Sequence, residues 1–189
     1  MQKKLSEMSL EELWRLFPIF LVEHQFNWKQ WYFEEKAILQ HILTSIPVKR
    51  ISHIGSTAVS NIWAKPIVDI LVEVANDAAF TAIKKLLMNS GYLCMNQNNK
   101  RMSFNKGYTE SGFAEKVFHI HIRVVGDNDE LYFRDYLMEY PEVAKEYEKL
   151  KLALWKKYEY HRDGYTEGKT EFIAKLTLQA KTHYGNRYS

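Results

Sequence analysis

Residues 67–74, IVDILVEV, are apolar almost throughout, and they constrain the fold more than any other segment. An eight-residue run of this kind, opened by Pro66, reads as a central strand covered on both faces. Inside it stands Asp69. An unpaired carboxylate is costly there, so Asp69 has a partner or a task. A short way upstream, Gly55-Ser56 follows a second predicted strand over residues 48–54. A glycine turn lets backbone N–H groups approach a phosphate closely. A carboxylate on the next strand can hold the accompanying cation.

The remaining segments supply the layers around this strand. Ser9 with Glu12 forms a capping-box pattern, and a short helix follows to about Phe17. Asn27 caps a second helix to about Leu43, with Trp28, Trp31, Ala37, Ile38 and Ile42 for its inner side. Asp77 caps a third, containing Phe80, Ile83, Leu86 and Leu87 and closed by Gly91. Residues 92–95 and 101–108 read as strands. Residues 117–125 are the clearest strand, with Phe118, Ile120, Ile122 and Val124 on one face and His119, His121 and Arg123 on the other. After Gly126 the chain turns helical. Val143, Tyr147, Leu150, Leu154 and Tyr158 mark one helix stripe, and a last helix runs from about Tyr165 into the 180s. The expected fold class is α+β, a mixed sheet flanked by helices. No linker divides the 189 residues, so one domain is expected: N-terminal helices 9–46, sheet core 47–126, C-terminal helices 128–187.

Composition excludes several classes. The single cysteine, Cys94, rules out an internal disulfide framework and a Cys-rich zinc site, and it reads as a core residue. No apolar run approaches the roughly 20 residues of a membrane span, and acidic residues break up the N-terminus. A soluble, cytoplasmic protein is expected, with no membrane partner. A net charge of +3 does not indicate a nucleic-acid partner. The oligomeric state is not encoded legibly.

Three constellations carry chemistry. In the first, Gly55, Ser56 and Asp69 make a phosphate turn and a metal acid, or else an ordinary turn and an edge carboxylate. A second acid sharing one metal belongs two residues along, about 6.6–7 Å away, and that position is Leu71. Glu73 is about 13 Å from Asp69 along the strand and reads as a solvated strand end. In the second, His119 and His121 can ligate one metal or serve as acid and base, and Arg123 can clamp phosphate. A polar sheet face under loops fits the same residues. The pattern is also similar to the His-φ-His-φ-His motif of histidine-triad nucleotide hydrolases, with Arg123 in place of the third histidine. In the third, Lys169 lies in the stripe of Tyr165, Phe172, Ile173, Leu176 and Ala180, where an inward lysine needs an anion or must snorkel. Lys65, just before Pro66, can face the same pocket or solvent. Lys145, Lys149, Lys151, Lys156, Lys157 and Arg162 are interleaved with Glu142, Glu146, Glu148 and Glu159, and this run reads as a solvated helix face.

Taken in order along the chain, Leu10-Glu11-Glu12-Leu13-Trp14, Trp28 to Tyr32, His53 to Val59, Ala64 to Ile70, Phe118 to His121, Phe133 to Leu137, Tyr147 to Lys151, and Tyr165 with Gly168-Lys169 resemble the GrpB family. That family is itself similar in fold to the nucleotidyltransferase superfamily. The resemblance implies a nucleotidyltransferase-like mixed sheet with C-terminal helices leaning over the site. It also implies Gly-Ser at a triphosphate and strand acids at magnesium, which Gly55, Ser56 and Asp69 match. Ser60-Asn61 departs from an expected Pro-Gly, and Leu71 departs from the expected second acid.

The expected function is a nucleotide- or phosphate-binding protein. If it is an enzyme, it is a metal-dependent nucleotidyltransferase. Asp69, His119 and His121 are the candidate catalytic and metal residues. Gly55, Ser56, Lys65, Arg123 and Lys169 are the candidate ligand contacts, and Mg2+ or another divalent cation is the cofactor. The partner is a nucleotide or other phosphorylated small molecule. The alternatives are an inactive nucleotide-binding regulatory module and a histidine-dependent phosphoesterase.

Overall fold

A computed structural model describes residues 3–188. Seven α-helices and five strands are described: α1 (Leu10–Leu16), α2 (Asn27–Ile42), β1 (Val48–Ile54), β2 (Val68–Val74), α3 (Phe80–Asn89), β3 (Leu93–Gln97), β4 (Arg101–Thr109), β5 (Gly112–Val124), α4 (Asp129–Glu139), α5 (Pro141–Tyr158), α6 (Arg162–Glu167) and α7 (Thr170–Tyr184). The strand order is β1-β2-β5-β4-β3. Only β2 and β5 run parallel; the other neighbours are antiparallel. The class is therefore α+β with a mixed sheet, as the element pattern predicts.

The two central strands lie in register with Asp69 beside His119, Leu71 beside His121 and Glu73 beside Arg123. Side chains alternate, so these six share one face. On the opposite face Val68, Ile70, Val72, Phe118, Ile120 and Ile122 join Trp28, Leu39, Ile83 and Leu87 from α2 and α3 in the main core. Each large apolar side chain fully buried there contributes roughly 1.5–3 kcal/mol. The polar-bearing face is closed at one end by α4, where Leu131 packs on Ile54 and Leu71. The loop after β1 is tied to the C-terminal helices through Val59, Ile62, Phe133, Ala144, Tyr147 and Leu176.

Local signals held where chemistry is local. Ser9 caps α1 and accepts from Glu12 N, while the Glu12 carboxylate accepts from Ser9 N. Gly91, just past α3, takes the positive φ of a helix stop. Other expectations are corrected. α2 begins at Asn27 itself, after Phe26, and buries Trp28, Tyr32, Glu35 and Leu39 while Ile38 is exposed. Asn76, not Asp77, caps the turn leading into α3. The final helix is two helices, broken at Gly168-Lys169, so Lys169 caps α7 rather than lying within a helix. Glu73 is not a solvated strand end. It is fully buried, bonded to its cross-strand neighbour Arg50 and to Asn128 Nδ2 at 3.0 Å. The segment before α4 folds over this strand end, a long-range contact with no trace in the strand's own pattern. Among the described residues, no helix is long and apolar enough to cross a membrane.

Candidate functional site

The register of β2 and β5 brings Asp69, His119 and His121 together. Asp69 Oδ1 lies 3.3 Å from His119 Nδ1 and 3.1 Å from His121 Nε2. One donor atom from each residue lies within 4.8 Å of the others. Burial alone would raise the Asp69 pKa. Hydrogen bonds and charge from the two imidazoles outweigh it and hold the carboxyl well below its usual range. His119 is pushed down by burial, against the pull of Asp69. In its neutral form Nδ1–H donates to Asp69, and the Tyr108 hydroxyl, 2.8 Å from Nε2, can donate to the other nitrogen. A bulge in β4 aims Tyr108 there. Register shifts between Lys106 and Tyr108, and Gly107 at φ +89° turns the strand where a Cβ would stand 2.3 Å from the Lys116 carbonyl oxygen.

The turn after β1 meets Asp69 from the other side. Gly55 has φ +70° and ψ −173°, a region essentially restricted to glycine. A Cβ on it would lie 2.6 Å from Asp69 Oδ2. The predicted pairing of Gly55 with Asp69 is thus a direct contact. Ser56 next to it faces the Tyr147 hydroxyl of α5 closely enough to influence its ionisation. His53, at the end of β1, stacks on Tyr32 at 4.9 Å and bonds Thr57 Oγ1 at 2.9 Å. Burial lowers its pKa to about 4, so it is a neutral structural imidazole.

Cations gather beside this carboxylate: Lys65 and Lys169 feel the charge of Asp69, while Lys151, next in the cluster, feels that of Glu148. Lys65, in the segment before β2, and Lys169, at the break between α6 and α7, point over the Tyr165 ring at 5.5 and 4.3 Å. Lys151 of α5 points over Tyr147 at 5.0 Å and donates to the Trp63 carbonyl. Arg162 of α6 lies near enough to act electrostatically on Tyr108 and on Lys65. Burial lowers Lys65 and Lys151 to about 7 and Lys169 to about 8; the charge of Lys169 presses Lys65 and Lys151 further down, and Arg162 does the same to Lys169 against the pull of Asp69. Among the described residues, none of these four cations forms an ion pair within 4 Å.

Lys151 and Arg162 therefore leave the solvated helix face assigned to them above. Lys151 is 2% exposed. One signal was available: Lys151 follows Tyr147 by four residues, on the inner stripe of α5. Nothing in their own segments marks Tyr108 and Tyr147 as site residues, because a bulge and a helix docking place them. Arg123 sits on the expected face but does not front the pocket. It is buried and donates to the Met102 and Ile122 carbonyls, with Glu130 Oε1 and His121 Nδ1 each 3.4 Å away.

A cleft of about 280 Å³ opens beside Lys65, walled by Pro18, Phe20, Pro66, Ile67, Phe113 and Val117, with Glu115 also on its lining. Val117 lies on the His119 face of β5, one pleat earlier, about 6.6 Å along the strand, and Ile67 immediately precedes β2.

The sequence profile of the GrpB protein family matches residues 18–179. The chain belongs to the GrpB family. One relative, the glutamate-rich protein GrpB of Alkalihalophilus pseudofirmus, is 36% identical over 167 residues, covering 84% of this chain and 93% of its own. The UPF0157 protein YqkA of Bacillus subtilis is 29% identical across 94% of this chain, which spans 52% of that relative. Among solved structures, the conserved GrpB protein from Enterococcus faecalis superposes with TM-score 0.76 at 30% identity, over 87% of this chain and 99% of its own. Cid1, described for its RNA terminal uridylyl transferase activity, matches with TM-score 0.51 at 13% identity over 78% of this chain and 44% of its own. That likeness concerns the fold, and it makes this GrpB-family sheet nucleotidyltransferase-like.

Proposed function

We propose that this GrpB-family protein binds a nucleotide, with its phosphates among Lys65, Lys151, Lys169 and Arg162 and its base in the neighbouring apolar cleft. The carrying observation is the unpaired cation cluster. Four cations converge from three separate stretches of chain on a pocket whose central acid is already engaged by two histidines. Like charges held together at a cost in burial call for an anion, and a polyphosphate supplies several charges at once. The Tyr165 and Tyr147 rings hold the lysine stems in place meanwhile. Ser56, on the turn held against Asp69, offers a hydroxyl to the same ligand. The cleft favours a nucleotide over bare phosphate, because its walls are mostly apolar and aromatic, with Glu115 as their one acid, and Lys65 lines it as well as the basic pocket.

Asp69, with His119 and His121, would hold a divalent cation at the edge of the phosphates. Such an ion neutralises charge on a transferring phosphoryl group, and the lysines supply fixed positive charge for the same purpose. The chain's own part is positioning: Gly55 fixes the Asp69 carboxylate and Tyr108 orients His119.

Calorimetric titration with ATP, GTP, CTP and UTP, each with and without a divalent salt, tests this. At least one should bind, and Lys169→Gln should weaken it at least tenfold. Inorganic triphosphate should bind more weakly than the preferred nucleotide. No heat from any of the four nucleotides on folded protein would overturn the proposal.

A further inference from the structure

We infer that Asp69, His119 and His121 form a single-ion site for a zinc-class transition metal rather than a magnesium site. The three protein ligands stand independently of the phosphate reading; only the occupant of the fourth position, a phosphate oxygen, rests on it. Magnesium prefers an octahedral shell of oxygens with waters retained, usually through one or two carboxylates. Two of the three donors here are imidazole nitrogens, which suit Zn, Fe, Ni and Cu. The next residue on this face of β2, Leu71, is apolar and packed between Ile54 and Leu131, so it offers no second oxygen ligand.

The spacing agrees with this chemistry. Ligand bonds of about 2.0–2.1 Å in a tetrahedron put donor atoms about 3.3 Å apart. Asp69 Oδ1 already stands 3.1 Å from His121 Nε2 and 3.3 Å from His119 Nδ1. The remaining edge, between the imidazoles, is within 4.8 Å. The same three atoms make hydrogen bonds without an ion, so metal binding exchanges the two shared protons for three coordinate bonds, one to each residue. Each proton moves to the far ring nitrogen, as a neutral ligand requires. For His119 that nitrogen faces the Tyr108 hydroxyl, which accepts as readily as it donates. For His121 it faces Arg123 Nη2 at 3.4 Å, a contact that Arg123 can give up for Glu130 Oε1, also 3.4 Å away. Three protein ligands with an open fourth position is the arrangement of catalytic zinc sites.

The test uses Co2+ as a spectroscopic stand-in for Zn2+ on the chelator-treated full chain. One equivalent should give the visible d–d absorption of a low-coordinate site, which one equivalent of Zn2+ removes and a hundredfold excess of Mg2+ leaves in place. Asp69→Asn, His119→Gln and His121→Gln, each checked for folding by circular dichroism, should lose the spectrum. His183→Gln, on the exposed surface beside Glu139, should keep it. Absence of the spectrum, displacement by Mg2+, or survival in both site histidine variants would overturn the assignment. Inorganic triphosphate titrated without metal reports on the lysines alone. Triphosphate binding without a cobalt spectrum removes the metal and leaves the phosphate reading intact, while a cobalt spectrum without triphosphate heat does the reverse.

Discussion

Nucleotide binding should take up protons at pH 8 and stop doing so at pH 6. Burial, aided by repulsion from neighbouring cations, lowers Lys65 to about 7 and Lys169 to about 8 in the free protein, against the pull of Asp69. At pH 8 about one-tenth of Lys65 and one-half of Lys169 are therefore charged. A phosphate group between them favours the charged form of both. Completing their charge absorbs about 1.4 protons, and Lys151, also lowered to about 7, adds up to about 0.9 if it follows. The expected uptake at pH 8 is thus about 1.4 to 2.3 protons per nucleotide, and affinity should fall by a similar number of orders of magnitude per pH unit there. At pH 6 the lysines are already charged. The terminal phosphate, with its own pKa near 6, then gives up about half a proton, so the sign reverses. Calorimetry in buffers of different ionisation enthalpy measures the proton count directly. A nucleotide that binds at pH 8 with the same heat in every buffer would refute the placement of its phosphates at these lysines.

Stability of the ligand-free protein should move the opposite way. Unfolded lysine keeps its proton to about 10.4, while these three release theirs near 7 to 8, so the unfolded chain holds more protons between these limits. Stability should therefore rise with pH across that window, by about 1.4 kcal/mol per pH unit for each fully discharged lysine. Urea midpoints at pH 7 and pH 9 check the direction, and Lys151→Met should flatten the rise. Gly55→Ala forces a Cβ to 2.6 Å from Asp69 Oδ2 in a glycine-only conformation. It should cost about 1–3 kcal/mol of stability and abolish metal and nucleotide binding together, as thermal melts with and without ligand will show. Arg50→Ala strands the buried Glu73 carboxylate and should cost about 3 kcal/mol in urea unfolding. An effect below 1 kcal/mol would mean that Asn128 alone satisfies Glu73.

The central strands were legible because a period of two exposes their faces directly. From β2 and β5 alone, Asp69 could be placed with His119 and His121 once the strands were adjacent, and they are neighbours in parallel register. Residues governed by helix docking were less legible. Lys151 lies among alternating acids and bases, and only its spacing from Tyr147 marks it as inward. Glu73 is buried by the segment around Asn128, some fifty residues away in the chain. The break at Gly168-Lys169 hid inside a continuous apolar stripe, since Leu176 and Ala180 keep helical spacing after it. Patterns within one element predicted faces; contacts between elements decided which charged residues lost their water.

Position 71 shows how the two kinds of information combine. The resemblance to nucleotidyltransferases places a second acid there, and the sequence has leucine. Taken alone, that substitution argues for a disabled site. The fold puts Leu71 beside His121 in the parallel ladder, and His121 reaches back to the Asp69 oxygen that also meets His119. A polar donor therefore remains on this face, moved one strand over and changed from oxygen to nitrogen. Leu71 meanwhile joins Ile54 and Leu131 under α4, where a carboxylate would be buried without a cation. Leu71→Asp should consequently destabilise the fold rather than restore a pair of oxygen ligands. Lower stability with no gain in Mg2+ affinity is the expected result. A gain in Mg2+ binding on a folded variant would show that position 71 still faces the site.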